Sequence, residues 1–405
     1  MNLKEYTLGE FFQIKHGYAF KGEFFSDEGT HIVVTPGNFY EEGGFRFVEN
    51  KAKYYTGDIP ANFILNENDL VIAMTEQAPG LLGSSAIIPV SNTFLHNQRI
   101  GLITGLKKEQ LNGKFLYYLF NTTGVRHQIS ASATGTKVRH TAPDRVYSVK
   151  VRLPVLSVQE KVAGILSAYD DHIENNLRRI ELLETSARLI YKEWFVKLNF
   201  PGREHTRIVD GVPEGWSKKT LFEIAEILSG GTPKTAVDEF WNGDIPFYTP
   251  KDSVNSVYVI DTEKHLTESG LKCCNSRFYP KNTLFITARG TVGNLNLAQQ
   301  PMAMNQSCYA LKGIGSISQT FLFYLVKDRV EHIKAHSGGA VFNAIIVDTF
   351  KRIDCIIPTT ELIRGFDEKI CPIFYQIENL LLQNSKLKQA RDLLLPKLMS
   401  GEITV

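Results

Sequence analysis

Two stretches of the chain place apolar residues alternately four and three positions apart, a spacing typical of helices that pack along one seam. The first covers 162–194, and the second follows at an offset of 204 residues. The predicted seam residues are Val162, Leu166, Tyr169, Ile173, Asn176, Ile180 and Leu183 in the first helix and Phe366, Ile370, Ile373, Ile377, Leu380, Asn384 and Leu387 in the second. A helix over 162–194 is roughly 50 Å long.

The pattern changes ahead of each long helix. There, short runs of β-branched and aromatic residues alternate with Gly, Pro and Asn, which predicts strands joined by turns. Such runs occur at 31–39, 69–75, 83–90, 244–250 and 282–294. Short helices are expected at FLYYLF (115–120) and FLFYLV (321–326).

These two halves repeat each other in order. The matching strings are Thr7-Leu8 with Thr220-Leu221, LVIAMT (70–75) with LFITAR (284–289), Asn97-Gln98 with Asn305-Gln306, FLYYLF (115–120) with FLFYLV (321–326), Pro154 with Pro358, and Ile173-Glu174-Asn175 with Ile377-Glu378-Asn379. The offset is 213 to 214 in the first two matches and shrinks to 204 further along the chain. This is expected of two copies of one design whose loops differ in length.

The pattern therefore predicts an α+β protein in which two similar mixed α/β globular domains are joined by two long helices. The helices are expected to pack as an antiparallel coiled coil, giving a pseudo-two-fold internal repeat. The predicted boundaries are 1–155 for the first globular domain, 156–198 for the first long spacer helix, 199–219 for a linker, 220–358 for the second globular domain, and 359–405 for the second long spacer helix and C-terminal tail.

The length of the linker favours the antiparallel pairing. About 20 residues reach about 65 Å when fully stretched, so a parallel pair would leave the linker strained. An antiparallel pair keeps the linker at one end and puts the two globular domains at opposite ends. It also brings Asn176 and Asn384 near the middle of the seam, where their amides are expected to pair and fix the register.

Composition excludes several classes of protein. Hydrophobic residues make up 43% and charged residues 22%, and the net charge is +2, so the chain does not coat nucleic acid by bulk charge. The N-terminus lacks the pattern of a signal peptide, and no long uncharged apolar window predicts a membrane span, so a cytoplasmic protein is expected. The five cysteines lack zinc-site spacing and are interpreted as reduced thiols without a metal.

Enzyme motifs are missing from the sequence. It contains no GxxxxGK[ST] loop for ATP, no GxGxxG loop for a dinucleotide, and neither HExxH nor GxSxG. The Asn/Asp-Pro-Pro-aromatic tetrad of amino-methylating DNA enzymes is also absent. We therefore assign no catalytic residue and expect no cofactor to be bound by this chain.

Several strings resemble the specificity subunits of type I restriction-modification systems, and in this order they cover essentially the whole chain. They are LPVLSVQEKVAGIL (153–166), VPEGW (212–216), GGTPKT (230–235), EFWNGDIPFYTPKD (239–252), ITARGTVGN (286–294), NQS (305–307) and LLPKLMSGEITV (394–405). The second copy departs from the family pattern, since it reads IPTTELIRGFDEKI (357–370). The Pro-hydrophobic-x-x-Gln signature is lost there, which questions whether both ends hold a partner equally.

The resemblance implies two target-recognition domains that each read one half of an asymmetric, split site in double-stranded DNA. It implies that the helices set the spacing and dock two modification (methyltransferase) subunits, and indirectly the restriction/translocase subunits. S-adenosylmethionine, ATP and Mg²⁺ would then be used by those partner subunits. No membrane partner is implied.

Candidate DNA-binding residues lie in the Gly-rich segments, because reading base edges requires exposed donors and acceptors. They are Gln77, Thr136, Lys137, Arg139 and His140 in the first copy and Lys234, Thr235, Lys251, Arg289, Thr291 and Asn294 in the second, with Ser337 and Asn343 offered by a further segment. Each is alternatively a solvated surface group. Asn97-Gln98 and Asn305-Gln306 recur in both copies, which favours a structural role over base reading.

Two other functions stay open. A stand-alone regulator could use the same two domains to bind a bipartite DNA site without enzymatic partners. A coiled-coil scaffold would explain the helices but leaves two divergent globular domains without a role. Co-purification with methyltransferase subunits separates the first alternative from a restriction-modification subunit.

Overall fold

The computed structural model describes residues 3–47, 51–77, 80–336 and 344–405. The chain divides into two compact units. Unit 1 comprises Met1–His172 together with Leu387–Val405, and unit 2 is the continuous segment Ile173–Lys386. Each unit contains one copy of the repeated globular part and a portion of both long helices.

A four-stranded sheet forms the frame of unit 1, and its neighbouring strands are antiparallel. The strand order is β2 (Gln13–His16), β10 (Ile100–Thr104), β6 (Leu70–Ala73) and β8 (Ser85–Ile87). Every residue of the central strand β6 is buried, which explains its continuous apolar run. The elements of unit 1 are β1 (Lys4–Thr7), β2 (Gln13–His16), β3 (Phe25–Ser26), β4 (Ile32–Val33), β5 (Tyr54–Tyr55), β6 (Leu70–Ala73), β7 (Thr75–Glu76), β8 (Ser85–Ile87), β9 (Phe94–Leu95), β10 (Ile100–Thr104), α1 (Gly113–Phe120), α2 (Thr123–Ala131), β11 (Arg139–His140), α3 (Pro143–Tyr147) and β12 (Lys150–Leu153).

Unit 2 is built on a five-stranded sheet with the order β16 (Ala225–Ser229), β23 (Cys308–Gly313), β20 (Leu284–Thr287), β21 (Leu295–Ala298) and β18 (Tyr258–Val259). Its elements are β13 (Ile208–Val209), β14 (Val212–Pro213), β15 (Ser217–Thr220), α5 (Leu221–Ile224), β16 (Ala225–Ser229), β17 (Trp241–Tyr248), β18 (Tyr258–Val259), β19 (His265–Leu266), α6 (Glu268–Lys272), β20 (Leu284–Thr287), β21 (Leu295–Ala298), β22 (Ala303–Met304), β23 (Cys308–Gly313), α7 (Gln319–His336), α8 (Val347–Lys351) and β24 (Asp354–Ile357). The hairpin β13-β14 lies within the predicted linker.

The two units share one topology. The order β2-β10-β6-β8 in unit 1 corresponds to β16-β23-β20-β21 in unit 2, and in both units a separate antiparallel ladder, β1-β12 or β15-β24, joins the start of the globular part to its end. Each unit also has a short parallel pair, β4-β9 or β17-β22. The predicted fold class, with two similar mixed α/β domains, is therefore confirmed.

The two long helices are α4 (Leu156–Tyr191) and α9 (Thr360–Ser400). A π-helical turn, Lys192–Val196, continues α4. The boundary between the units cuts α4 after His172 and α9 after Lys386, so each unit contains part of both helices.

In unit 1 the two helices pack onto the globular core. Of its predicted seam residues, Val162 and Leu166 are fully buried, whereas Tyr169 and Leu387 are half-buried. Leu398 and Met399 of α9 are buried in the same cluster. The last residues of the chain therefore complete the core that the first residues begin.

In unit 2 most of the seam is buried. The buried seam residues are Ile173, Asn176, Ile180, Phe366, Ile370, Ile377, Leu380 and Asn384, and the half-buried ones are Leu183 and Ile373. Ile363 and Phe374 are also buried, although the heptad spacing did not select them. They widen the apolar stripe of α9 because it faces the globular part as well as α4.

The contacts in unit 2 show that the helices are antiparallel. Asn176 of α4 lies beside Asn384 of α9, while Tyr191, further along α4, packs against Phe366 with 6.1 Å between ring centroids. Residue numbers therefore rise along α4 as they fall along α9. The predicted antiparallel pairing is confirmed.

The two seam asparagines are bonded to each other. The Asn176 Nδ2 donates to Asn384 Oδ1 at 2.9 Å, and the Asn384 Nδ2 donates to the carbonyl oxygen of Ile173 at 3.3 Å. Their exposed fractions are only 1% and 5%. The pair predicted from the sequence is present, and it is a fully desolvated polar contact in an apolar seam.

Candidate nucleic-acid interface

Strand pairing in unit 1 brings the first-copy candidates together. The strand β11, which carries Arg139 and His140, pairs antiparallel with β7, so that Arg139 lies opposite Glu76 and His140 opposite Thr75. Gln77 follows β7 directly and is exposed. Two segments that are far apart in sequence thus present their polar residues at one edge.

A tight loop presents Thr136 and Lys137. The backbones of Thr134 and His140 bond to each other in both directions at 3.0 and 2.8 Å. Gly135 has a φ of +102°, and a Cβ there would lie 2.1 Å from the carbonyl oxygen of Val138, so the turn requires glycine. Thr136, Lys137 and His140 are exposed on this loop.

Arg139 is held by internal contacts. Its Nη1 lies 3.0 Å from the Oε1 of Glu76, whose side chain is 2% exposed, and its Nη2 donates to the carbonyl oxygen of Ser130. About a third of the Arg139 side chain remains exposed. Glu76 and Ser130 therefore orient the guanidinium, which has further N–H groups that take no part in these two contacts.

Arg126 was not selected from the sequence, yet it organises the same region. It donates to the carbonyl oxygens of Leu82 at 2.9 Å and Glu41 at 3.0 Å, and also to that of Gly80. Burial lowers the pKa of Arg126, and the nearby carboxylate of Glu76 opposes that effect. No local signal separates such an arginine from a surface arginine, because its partners lie 44 or more positions away.

In unit 2 the loop 287–294 carries three candidates. Arg289, Thr291 and Asn294 are exposed, while Thr287 beneath them is fully buried. The Thr287 hydroxyl accepts from the backbone N–H of Asn294 at 3.0 Å and donates to the carbonyl oxygen of Thr291. The loop therefore has a fixed base and an exposed polar tip.

Lys251 lies next to that loop, since the Thr291 hydroxyl contacts the carbonyl oxygen of Pro250 at 3.4 Å. Lys234 and Thr235 lie on a separate exposed segment. That segment is tied to the frame by a hydrogen bond from the Thr232 hydroxyl to Gln306. Ser337 and Asn343 lie outside the described residues.

The repeated asparagines have equivalent structural roles. Asn97 Oδ1 accepts from the N–H of Arg99, and Asn305 Oδ1 accepts from the N–H of Ser307, both at 3.0 Å. Glycines pack against both backbones, because a Cβ on Gly17 or Gly230 would lie 2.1 or 2.2 Å from the carbonyl oxygen of the local asparagine. These contacts agree with the structural role that the repeat predicts.

Gln159 of the family signature is internal to unit 1. It is 1% exposed, it donates to the carbonyl oxygens of Gln110 and Pro154, and it accepts from the N–H of Asn112. The corresponding residue of the second copy, Ile363, is also buried. The glutamine and its counterpart are therefore both internal side chains, each within its own unit.

Neither a metal site nor a membrane span occurs in the described ranges. They contain no group of three or more His, Cys, Asp or Glu side chains arranged to hold a metal ion. None of the helices in these ranges is both long and apolar enough to cross a bilayer. All five cysteines are free thiols.

The repeated frame with divergent polar loops matches one protein family over most of the chain. The family of the type I restriction modification DNA specificity domain matches twice, over residues 2–185 and 213–390. The chain therefore belongs to the family of type I restriction-modification specificity subunits.

Individual relatives agree with this assignment. The specificity subunit of the type I restriction enzyme HindI from Haemophilus influenzae is 25% identical over 72% of this chain and 77% of its own length. A putative type I restriction enzyme specificity subunit, MjaX, from Methanocaldococcus jannaschii is 24% identical over 88% of this chain and 81% of its own length.

One solved structure supports the fold. The S subunit of a type I restriction-modification system from M. genitalium superposes with a TM-score of 0.59 at 18% identity, covering 98% of this chain and 96% of that one. The superposition concerns the fold, whereas the family match makes the chain a DNA-specificity component of a type I restriction-modification system. The family is described by its DNA specificity domain, and these relatives are named as specificity subunits.

Proposed function

We propose that each unit reads one half of an asymmetric, split sequence in double-stranded DNA. The observation that carries this proposal is that one strand order supports two different sets of exposed polar residues. Unit 1 presents a loop around Thr136 and Lys137 beside Gln77, whereas unit 2 presents the loop around Arg289. Two different readers in one chain select two different half-sites, whereas a symmetric dimer selects a palindrome.

The exposed residues divide by chemistry. Gln77, Arg289 and Asn294 are suited to base edges, because amides pair with adenine and a guanidinium with guanine. Lys137, Lys234 and Lys251 are suited to phosphates, which position the protein without selecting a sequence. Thr136, His140, Thr235 and Thr291 can serve either contact. Arg139 reads a base only with the N–H groups that Glu76 and Ser130 leave free.

The long helices are proposed to set the half-site spacing and to dock two modification subunits, with the restriction/translocase subunits held indirectly. Exposed apolar residues on the helices support a docking role, because the burial of apolar surface against a partner is favourable. They include Leu177, Leu182 and Leu189 on α4 in unit 2 and Leu393 on α9 in unit 1, each more than half exposed. S-adenosylmethionine, ATP and Mg²⁺ are assigned to the partner subunits.

Methylation mapping tests the proposal. The chain is co-expressed with a modification subunit of its system, and methylated adenines are located across a genome by single-molecule sequencing. We expect one split, asymmetric motif with a methylated adenine in each half. Exchange of residues 1–150 for those of another specificity subunit should change only one half. Sequence-specific binding by the chain alone, without methylation, would instead indicate a stand-alone regulator.

A further inference from the structure

Each predicted recognition loop is held by one buried polar side chain that does not reach the surface. In unit 1 this side chain is Glu76, with an exposed fraction of 3%, and in unit 2 it is Thr287, with an exposed fraction of 0%. At the offset of 214 residues, Glu76 corresponds to Gly290. The two copies therefore use different residues, at different positions of the repeat, to hold their predicted recognition loops in place.

The Glu76 carboxylate collects four donors. Its Oε2 accepts the backbone N–H groups of Gly80, Leu81 and Leu82 at 3.0, 3.0 and 2.9 Å. Its Oε1 accepts from Arg139 Nη1 at 3.0 Å. One buried group thus fixes the backbone of Gly80–Leu82 and orients the Arg139 side chain on the adjacent strand. Arg126 holds the carbonyl groups of Gly80 and Leu82 in the same segment.

Thr287 closes the loop in unit 2 with both its backbone and its hydroxyl. Its N–H donates to the carbonyl oxygen of Asn294 at 3.0 Å, and its carbonyl oxygen accepts from the N–H of Gly293 at 2.8 Å. The hydroxyl accepts from the N–H of Asn294 and donates to the carbonyl oxygen of Thr291. These bonds hold the two ends of the loop together, and they thereby fix the backbone that carries the exposed Arg289.

We propose that Glu76 and Thr287 are positioning residues for sequence readout, each setting the stringency of one half-site without touching DNA. This inference rests on the proposed function of the two loops. Base readout depends on donors held in place to within fractions of an ångström. A loop released from its buried anchor still binds phosphates but discriminates less between base pairs.

Two isosteric substitutions separate the units. Glu76→Gln leaves one acceptor oxygen where the carboxylate offers two, so either the backbone amides or Arg139 lose their partner. Thr287→Val keeps the shape and removes the hydroxyl. We expect Glu76→Gln to reduce discrimination roughly tenfold at one or more positions of the half read by unit 1. We expect Thr287→Val to do the same in the other half only.

Matched controls come from buried residues away from the loops. Glu378 is a buried carboxylate bonded to Lys281 and Gln299, and Thr283 is a buried threonine bonded to the carbonyl oxygen of Pro280. Glu378→Gln and Thr283→Val should leave the base preferences of both halves unchanged. Thr287→Ser, which restores a hydroxyl, should recover most of the lost discrimination.

The readout is the base frequency at each position of the methylated motif, measured with the modification subunit present. Loss of folding lowers the total methylation and leaves these frequencies unchanged, so the two effects are distinct. If a variant gives too little methylation, binding of the complex to oligonucleotides with single base changes supplies the same frequencies. Wild-type frequencies in both halves for Glu76→Gln and Thr287→Val overturn the inference. Absence of a split motif for the wild-type chain overturns the proposed function itself.

Discussion

Tyr118 and Tyr324 occupy the same position in the two copies, at an offset of 206 residues, but their hydroxyl groups have different surroundings. The Tyr118 hydroxyl donates to Asp170 at 2.5 Å, and Arg391 contacts the same carboxylate. At the offset of 204, Phe374 takes the place of Asp170 and lies 5.8 Å from Tyr324 between ring centroids. Among the described residues, the buried Tyr324 hydroxyl finds no hydrogen-bond partner.

Removal of the two hydroxyl groups should therefore have opposite effects. Tyr118→Phe is expected to destabilise unit 1 by about 1–3 kcal/mol, because a charged hydrogen bond is lost and Asp170 stays partly buried. Tyr324→Phe should be neutral or stabilising, because it removes an unpaired buried hydroxyl. Amide hydrogen exchange, resolved by peptide, measures the stability of each unit. Equal losses in both variants would contradict this account.

His96 is a second buried group that differs between the copies. It is fully buried, one ring nitrogen contacts the carbonyl oxygen of Ile100 at 2.8 Å, and the other ring nitrogen, Nδ1, has no partner within the described chain. Burial lowers the pKa of His96 to about 4. At the offset of 208, the second copy has the buried Met304.

The His96 pKa makes unit 1 sensitive to acid. The unfolded histidine titrates near 6.5, so between that pH and about 4 the unfolded chain binds a proton that the folded chain excludes. This contribution is complete above pH 6.5 and falls by about 2 kcal/mol between pH 7 and pH 5. His96→Met should remove that part of the loss. Hydrogen exchange in β6 and β10 at the two pH values tests it, and an unchanged pH dependence would exclude the mechanism.

At the scale of elements, the asparagine pair is the polar contact of an otherwise apolar helix seam in unit 2. In the antiparallel register the next layer is Ile180 opposite Leu380, and both residues are buried. The repeat relates Asn176 to Leu380 and Asn384 to Ile180. The repeat therefore relates the layer of the two asparagines to the layer of Ile180 and Leu380, which is entirely apolar.

Single and double replacements of the asparagines should not add. Asn176→Leu or Asn384→Ile alone leaves one buried amide without its partner and is expected to cost about 1–3 kcal/mol. The double variant reproduces the apolar layer and should recover most of that loss or exceed the wild type. Denaturant unfolding followed by tryptophan fluorescence suits this cycle, because Trp194, Trp216 and Trp241 all lie in unit 2. Additive single effects would show that the amides act independently.

The seam illustrates what the sequence predicts well. Heptad spacing is a local property, so it identified the two seam helices without knowledge of the globular parts. The length of the linker then favoured the antiparallel pairing, which brings the two seam asparagines together. It did not select Phe374, because that residue is buried by the globular part of unit 2, in contact with Tyr258 and Phe323.

The recognition loops were less predictable. Composition located the polar segments, but it could not distinguish Arg139, which is oriented by Glu76 63 positions away, from freely solvated residues such as Lys137. Nor could it identify Glu76, Arg126 or Thr287 as the residues that hold those segments. Long-range pairing of this kind follows from strand order, which periodicity alone does not encode. DNA contact by the candidates stays a prediction.

At the scale of the whole molecule, unit 1 is assembled from both ends of the chain. Leu398 is 1% exposed in the core of unit 1, while Leu393 on the same helix is 68% exposed. Leu398→Ala is therefore expected to destabilise unit 1 by about 2–5 kcal/mol, although it lies near the end of the sequence. Leu393→Ala, the matched control, should change stability by less than about 0.5 kcal/mol. Hydrogen exchange of β6 and β10 that is the same in both variants would contradict a shared core.

This discontinuous unit has a consequence for the order of events on the ribosome. Unit 2 is one uninterrupted segment and has all of its residues once Lys386 has left the exit tunnel. Unit 1, by contrast, lacks Leu387–Val405 from the time that His172 is synthesised until the end of the sequence is reached. At about 5–20 residues per second, the wait is on the order of 10 to 50 s. Of the two units, unit 1 is therefore the first to begin and the second to have all of its residues, and its apolar core lacks Leu398 and Met399 during that interval.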